Sequence, residues 1–105
     1  MKERKITEGT IVFDRNVKAS ELMYFTEDFC GEVIITKKLI VDKNLNIECS
    51  LYVLGDMVRK SPISECEIKI NGDFYCYGDI HCNNISVSGC FTCEGIIYAK
   101  SLHLQ

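Results

Sequence analysis

The chain has 105 residues, of which 47% are hydrophobic and 26% charged, with a net charge of −3. This composition predicts one globular domain, and the negative charge argues against a nucleic-acid-binding protein. No apolar run approaches the length of a membrane-spanning helix or supplies a signal peptide, so we expect a cytoplasmic protein. In such a reducing compartment the seven cysteines should remain thiols.

The N-terminal residues have no strand pattern. Residues 1–10 are predicted to form a flexible tail, and residues 11–105 are predicted to form the folded domain. A small basic cluster near the start is diluted by Glu3 and Glu8. Membrane association through this tail is therefore not expected.

From Ile11 onward, apolar residues occur in pairs that are separated by one residue, and the later pairs recur at steps of six. Alternation with a period of two is typical of a strand with one buried face. The pairs are Ile11 with Phe13, Val17 with Ala19, Val33 with Ile35, Leu39 with Val41, Leu45 with Ile47 and Leu51 with Val53.

Two segments fit this pattern poorly. Within residues 18–30 a strand is preferred, and a short helix capped by Ser20 is the alternative. The segment from Met57 to Glu65 contains Pro62, which cannot donate a hydrogen bond to a sheet, so a loop or a bulge is predicted there.

Residues 68–104 repeat with a period of 17, and each repeat divides into steps of six, six and five. Extended backward, the same period places Leu51 and Val53 below Ile68 and Ile70, and aligns Gly55-Asp56-Met57 with Gly72-Asp73-Phe74. The predicted core columns contain Ile68, Ile85, Ile70, Val87, Phe74, Cys76, Cys93 and Ile80.

Three short strands and three corners per repeat predict a coil with three walls, in which like residues stack on like residues. The fold class is therefore all-β: a single-stranded parallel three-sided β-helix with about 17 residues per coil and five to six coils. Glycine, asparagine and aspartate between the strands suit sharp corners.

No residue stands out as catalytic or metal-binding, and no cofactor is expected. Cys90 and Cys93 form a lone Cys-x-x-Cys, but the repeat turns Cys93 inward and places Cys90 at a corner. Buried cysteines, including stacked pairs of Cys76 with Cys93 and of Cys49 with Cys66, are interpreted as small apolar residues. The other polar candidates are outward His81 and His103, and Asp56, Asp73 and Asp79 beside turn glycines, whose side chains are interpreted as stabilising the turns. Tyr75, Tyr77 and Tyr98 project outward or at corners and are interpreted as solvent-facing, with a sugar-binding or partner surface as the alternative.

The segments Tyr77–Gly89 and Phe91–Leu102 resemble the repeat of the bactofilins, the polymer-forming cytoskeletal proteins of bacteria. The resemblance rests on a glycine, an aliphatic residue two positions on, a small residue two further, and a following aliphatic pair. These roles fall on Gly78, Ile80, Cys82, Ile85 and Val87, and then on Gly95, Ile97, Ala99, Leu102 and Leu104. The resemblance implies a right-handed β-helix and a cytoplasmic scaffold that assembles end to end.

We therefore expect a noncatalytic structural protein whose partner is itself, in oligomers or filaments. Self-association is expected through the last coil, at Phe91, Ile97, Leu102 and Leu104, where strand edges and apolar side chains are exposed. The alternatives are a left-handed hexapeptide-repeat enzyme, such as an acyltransferase-like or γ-carbonic-anhydrase-like protein, and a β-helical ligand-binding or adhesion module. A tail folded over one end of the rod would instead limit assembly.

Overall fold

The computed structural model describes residues 8–60 and 66–104, which form short strands and one short helix. The helix is α1 (Ala19–Phe25). The strands are β1 (Thr10–Phe13), β2 (Val17–Lys18), β3 (Glu32–Ile35), β4 (Leu39–Val41), β5 (Leu45–Ile47), β6 (Ser50–Val53), β7 (Met57–Arg59), β8 (Glu67–Ile70), β9 (Phe74–Cys76), β10 (Ile80–His81), β11 (Asn84–Val87), β12 (Phe91–Cys93), β13 (Ile97–Tyr98) and β14 (Ser101–Leu104).

Three parallel sheets form the walls of a prism. Their orders are β1-β3-β6-β9-β12, β2-β4-β7-β10-β13 and β5-β8-β11-β14. Three consecutive elements make one coil, so coil 1 contains β1, β2 and α1, coil 2 contains β3 to β5, coil 3 contains β6 to β8, and coil 5 contains β12 to β14. The predicted three-sided parallel β-helix is thereby confirmed, with five coils in the described residues.

Alternate side chains point into the prism and fill it. Phe74 lies beside Phe91 with ring centroids 5.6 Å apart, and Cys76 is in register with Cys93. Within the predicted core columns only Cys93, which lies in coil 5, is partly exposed. The fully or almost fully buried members are Ile68, Ile70, Phe74, Cys76, Ile80, Ile85 and Val87.

The predicted period holds at the C-terminal end, where Ile68 pairs with Ile85 and Ile85 with Leu102. Earlier coils are longer, because the residues that pair across them lie further apart in the sequence. Their partners are Ile11 with Val33, Val33 with Leu51, and Leu51 with Phe74.

The backward extension of the repeat was therefore wrong by one wall. Leu51 lies below Phe74 rather than Ile68, and Met57 pairs with Ile80 rather than aligning with Phe74. The reason is the long connection between β7 and β8 in coil 3. This connection adds six positions to the predicted period between paired residues. Six residues are also the predicted step from one wall to the next. The apolar pairs therefore keep their spacing across this connection, but each pair before it belongs to a different wall from the one predicted.

The segment from Met57 was predicted to be irregular. Met57 to Arg59 instead form β7, a regular strand paired with β4 along its length. Residues 61–65, and the N-terminal residues 1–7, lie outside the described residues. The boundaries of the predicted tail and domain therefore remain a prediction.

The preferred strand within residues 18–30 was also wrong, because Ala19 to Phe25 form α1 in the place of a third wall for coil 1. The N-cap is Lys18 rather than Ser20, and the Glu21 carboxylate accepts a hydrogen bond from the Lys18 N–H at 3.1 Å. With seven residues, α1 is far too short to cross a bilayer, and no other helix is found in the described part of the chain.

Ser20 attaches α1 to coil 2. Its N–H and its hydroxyl donate to the two carboxylate oxygens of Asp42, at 3.0 and 2.6 Å. Burial alone would raise the pKa of Asp42, but the hydrogen bonds from Ser20, together with a hydrogen bond from the Asp42 backbone and the charge of Lys18, outweigh it and lower this pKa below its usual value. The ionised carboxylate is therefore the form that holds the helix.

The helix closes coil 1. It packs against β2, β4 and β5, and the ring of Phe25 lies 5.5 Å from that of Phe13. Val17 and Leu22 are fully buried although both belong to the first coil. Helix α1 thus covers the apolar interior at the N-terminal end of the rod.

Asp42→Asn should weaken this attachment and lower the free energy of unfolding by about 1 kcal/mol at pH 7, because an ionised acceptor is lost. A depressed carboxylate pKa stabilises the fold above the unfolded pKa of about 3.9 and ceases to do so as pH falls through the folded value. Urea unfolding from pH 7 to pH 3 should therefore show a smaller acid-dependent loss for Asp42→Asn than for wild type. Glu27→Gln, an exposed carboxylate just beyond α1, is the matched control; equal acid profiles for Asp42→Asn and wild type would contradict this role.

Candidate functional site

Coil 5 forms one end of the stack. Its strands β12, β13 and β14 are each the last strand of their sheet. Their outer edges therefore present backbone N–H and C=O groups with no strand partner among residues 8–60 and 66–104. Such edges are templates for pairing with another chain.

The apolar interior is open at this end. Leu102 is 39% exposed and Leu104 is 53% exposed, whereas Ile85 and Val87, which lie directly beneath them, are both 0% exposed. Ile97 is 36% exposed. The side chains that the sequence predicted for self-association thus lie together on the end surface, and Phe91 is the most covered of them because it packs on Phe74.

Below coil 5, polar side chains at the corners join each coil to the next. At the corner before the second wall, Asp56 accepts a hydrogen bond from the Asp79 N–H at 2.8 Å, and Asp79 accepts one from the Ile96 N–H at 2.9 Å. We call such a series a corner ladder. The glycine that precedes each aspartate allows the close approach, since a Cβ on Gly78 would lie 2.7 Å from the carbonyl oxygen of Gly55.

The other two corners follow the same rule. Before the first wall, Ser50 accepts from the Asp73 N–H at 3.1 Å and Asp73 accepts from the Cys90 N–H at 2.9 Å. Before the third wall, Asn84 accepts from the Ser101 hydroxyl at 2.7 Å. Each of the three corners therefore contains a polar side chain that satisfies a polar group of the following coil, although coil 2 has Lys38, which cannot accept, in the place of Asp56.

Coil 5 breaks this rule at two corners. Cys90 takes the place of Asp73, and Ile96 takes the place of Asp79. Both are exposed, and Ile96, at 58%, adds apolar surface to the end. Neither residue supplies a carboxylate oxygen for a further coil.

The turn aspartates thus have a visible structural role. The sequence predicted turn-stabilising side chains for Asp56, Asp73 and Asp79, and each accepts a bond from the backbone. The acceptor bonds span neighbouring coils rather than a single turn. That longer reach was missed, because it depends on the register of the coils.

The two histidines lie on different walls. His81 stacks on Tyr98 with ring centroids 4.5 Å apart, in the second wall, while His103 is exposed in the third wall. Within the described ranges, no group of three histidine, cysteine or acidic side chains is placed to hold a metal ion.

The tyrosines do not form one surface. Tyr75 lies on the first wall beside Tyr52, with ring centroids 6.5 Å apart, whereas Tyr77 is an exposed corner residue and Tyr98 belongs to the second wall. Tyr52 was not among the predicted tyrosines, because the backward extension of the 17-residue period does not place it beside Tyr75.

The cysteines are all thiols, and two of them, Cys30 and Cys90, are exposed. Burial raises the pKa of Cys49 to about 11 and that of Cys76 to about 12. The predicted stacking of Cys49 on Cys66 was wrong, because the register at Ser50 and Asp73 places Cys49 below Gly72.

Comparisons with known proteins give no relative. No protein-family model matches the chain, and no curated protein or solved structure matches it.

Thiol reactivity should report this burial directly. At pH 8, iodoacetamide should modify Cys30 and Cys90 within minutes, because their thiols are accessible to the reagent, while Cys49 and Cys76 stay protonated and protected. Mass spectrometry of peptides, with urea-unfolded protein as the reference, measures each site. Modification of Cys76 at the rate of Cys90 in folded protein would contradict the core assignment.

Proposed function

We propose that this protein is a noncatalytic structural scaffold, similar in kind to bactofilins, that assembles through the exposed surface of coil 5. The observation that carries the proposal is the open apolar interior at coil 5, beside three unpaired sheet edges. Assembly would extend backbone hydrogen bonding and remove Leu102 and Leu104 from water together.

The polarity of the two ends supports this proposal. At the N-terminal end, the inward side chains of Val17 and Leu22 are 0% exposed, although Tyr24 and Phe25 of α1 are exposed, while at the opposite end the inward side chain of Leu104 is 53% exposed. Full burial of an aliphatic side chain contributes about 1.5–3 kcal/mol. Ile97, Leu102 and Leu104 lie on one surface of coil 5, and burial of their remaining exposed area would favour association.

The chemistry of the polar residues supports a noncatalytic role. The aspartates that recur beside the turn glycines are used as corner acceptors, and His81 is stacked on Tyr98.

A cytoplasmic location is part of the proposal, since seven cysteines that remain thiols suit a reducing compartment.

Leu104→Asp should weaken self-association by at least tenfold, because a carboxylate would be buried against an apolar surface. The matched control is Leu54→Asp, which replaces a leucine of 44% exposure on coil 3, far from the end. Sedimentation equilibrium from micromolar to millimolar concentration measures both variants and the wild type.

Wild-type protein should sediment as a concentration-dependent mixture, and Leu54→Asp should match it. A wild-type protein that stays monomeric throughout this range would overturn the proposed function. Equal weakening by both variants would show that association does not use coil 5.

A further inference from the structure

We propose that two parallel rods of this protein pack side by side, with the first wall of one copy on the second wall of the next. The first wall is the sheet β1-β3-β6-β9-β12, and the second wall is β2-β4-β7-β10-β13. This lateral contact goes beyond the proposed function, because it uses a different surface from coil 5 and joins rods along their length.

The outer face of the first wall is acidic. Its charged residues within the described ranges are all carboxylates, and all are exposed: Asp14, Glu32, Asp73 and Glu94. The middle outward position of each strand forms a column along the rod, which is apolar or aromatic in coils 1 to 4: Val12, Ile34, Tyr52 and Tyr75. This wall therefore presents an apolar column between rows that carry negative charge.

The second wall has the opposite charge pattern. Apart from Lys69, every lysine and arginine in residues 8–60 and 66–104 lies in this wall or at the corners that flank it: Arg15, Lys18, Lys37, Lys38, Lys43, Arg59, Lys60 and Lys100. The carboxylates of this wall, Asp42, Asp56 and Asp79, are half-buried and accept hydrogen bonds from the backbone. Its middle column in coils 2 to 5 contains Ile40, Val58, His81 and Tyr98. The two walls are thus complementary in charge and alike in their middle columns.

The direction of the strands decides which residues of the two walls meet. The chain winds in the same sense in both copies, so the strands of two facing walls in parallel rods run in opposite directions. The residue that precedes a strand of the first wall therefore faces the residue that follows a strand of the second wall. In the proposed register, each coil of the first wall faces the next-numbered coil of the second wall, which is a shift of about 4.8 Å.

This register pairs opposite charges along both edges of the contact. The facing pairs are Asp14 with Lys38, Glu32 with Lys60, and Asp73 with Lys100. The middle columns meet in the pairs Val12 with Ile40, Ile34 with Val58, Tyr52 with His81, and Tyr75 with Tyr98. Opposite charges therefore enclose a row of apolar and aromatic contacts.

Other parallel registers set carboxylates against each other. The facing carboxylates are Glu32 with Asp42 when the rods are not shifted, Asp14 with Asp56 after a shift of two coils, and Glu94 with Asp79 after a shift of one coil in the opposite direction. Like charges in contact are unfavourable. The charge pattern thus selects one register.

The contact is heterologous, because each copy presents its first wall to one neighbour and its second wall to another. Such a contact continues from copy to copy, and the shift of one coil keeps it from closing into a flat ring. Four coils overlap, so the contact area is roughly a few hundred Å², at the low end for protein interfaces. A single contact is therefore weak and sensitive to salt.

Exchange of charges within one pair tests the register, in a Leu104→Asp parent whose coil 5 contact is weakened. Glu32→Lys alone sets two ammonium groups against each other, and Lys60→Glu alone sets two carboxylates against each other. Each should weaken lateral association roughly three- to tenfold, as exposed pairs do. The double variant Glu32→Lys/Lys60→Glu restores opposite charges and should recover the parent's association constant. Sedimentation equilibrium at low salt and millimolar protein measures each variant.

The matched control is Glu32→Lys/Lys38→Glu, the same exchange at two positions that do not face each other, and it should not recover. A mixture of the single variants Glu32→Lys and Lys60→Glu should associate, because the former keeps its second wall and the latter keeps its first wall. Circular dichroism confirms that each variant keeps its β-sheet content. Equal behaviour of the two double variants, or a mixture that associates no better than its components, would overturn the proposed contact.

Salt separates this contact from the one at coil 5. Absence of association by the Leu104→Asp parent at low salt would overturn the lateral contact and leave the proposed function standing. At about 0.5 M salt the lateral contact is screened. The comparison of Leu104→Asp with Leu54→Asp, which alters the first wall, therefore measures coil 5 alone under that condition.

Discussion

Every feature of this molecule depends on the parallel register between successive coils. The register brings the backbone of each strand into hydrogen bonding with strands of the coils above and below, and it places a polar corner side chain where the next coil has an unsatisfied N–H. It also stacks aliphatic and aromatic side chains into continuous columns. Since each coil is stabilised mainly by its neighbours, a coil at the end of the stack is incomplete, and the structure must either cover it or leave it available.

The two ends of the rod differ in how far the interior is covered. At the first coil, the chain replaces a third strand by α1, whose attachment through Asp42 and whose apolar contacts with Phe13 cover the interior. At the last coil, the strands stay regular, but the corner carboxylates are replaced by Cys90 and Ile96. This combination retains the hydrogen-bonding edges and removes the carboxylates from two corners.

The sequence was a good guide where the coils have equal length. The repeat from Ile68 to Leu104 predicted the walls, the columns and the inward positions, because no insertion disturbs them. It failed at the connection before Ile68, where the insertion equals the length of one wall and leaves the apolar periodicity unchanged. Helix α1 was given only as the alternative to a strand, because a short segment rich in apolar residues fits a strand or a helix equally well. The change at Cys90 and Ile96 was readable from the repeat, but its importance became visible only when the corner bonds were known.

The central claim is that coil 5 is an interface, and hydrogen–deuterium exchange tests it most directly, because exchange reports each strand edge separately. Exchange is compared in dilute and in concentrated protein. The account predicts slower exchange at high concentration for the backbone amides of β12, β13 and β14, with no change in β1 or α1. Exchange of β12 to β14 that is the same at all concentrations, or protection that appears in α1 instead, would contradict it.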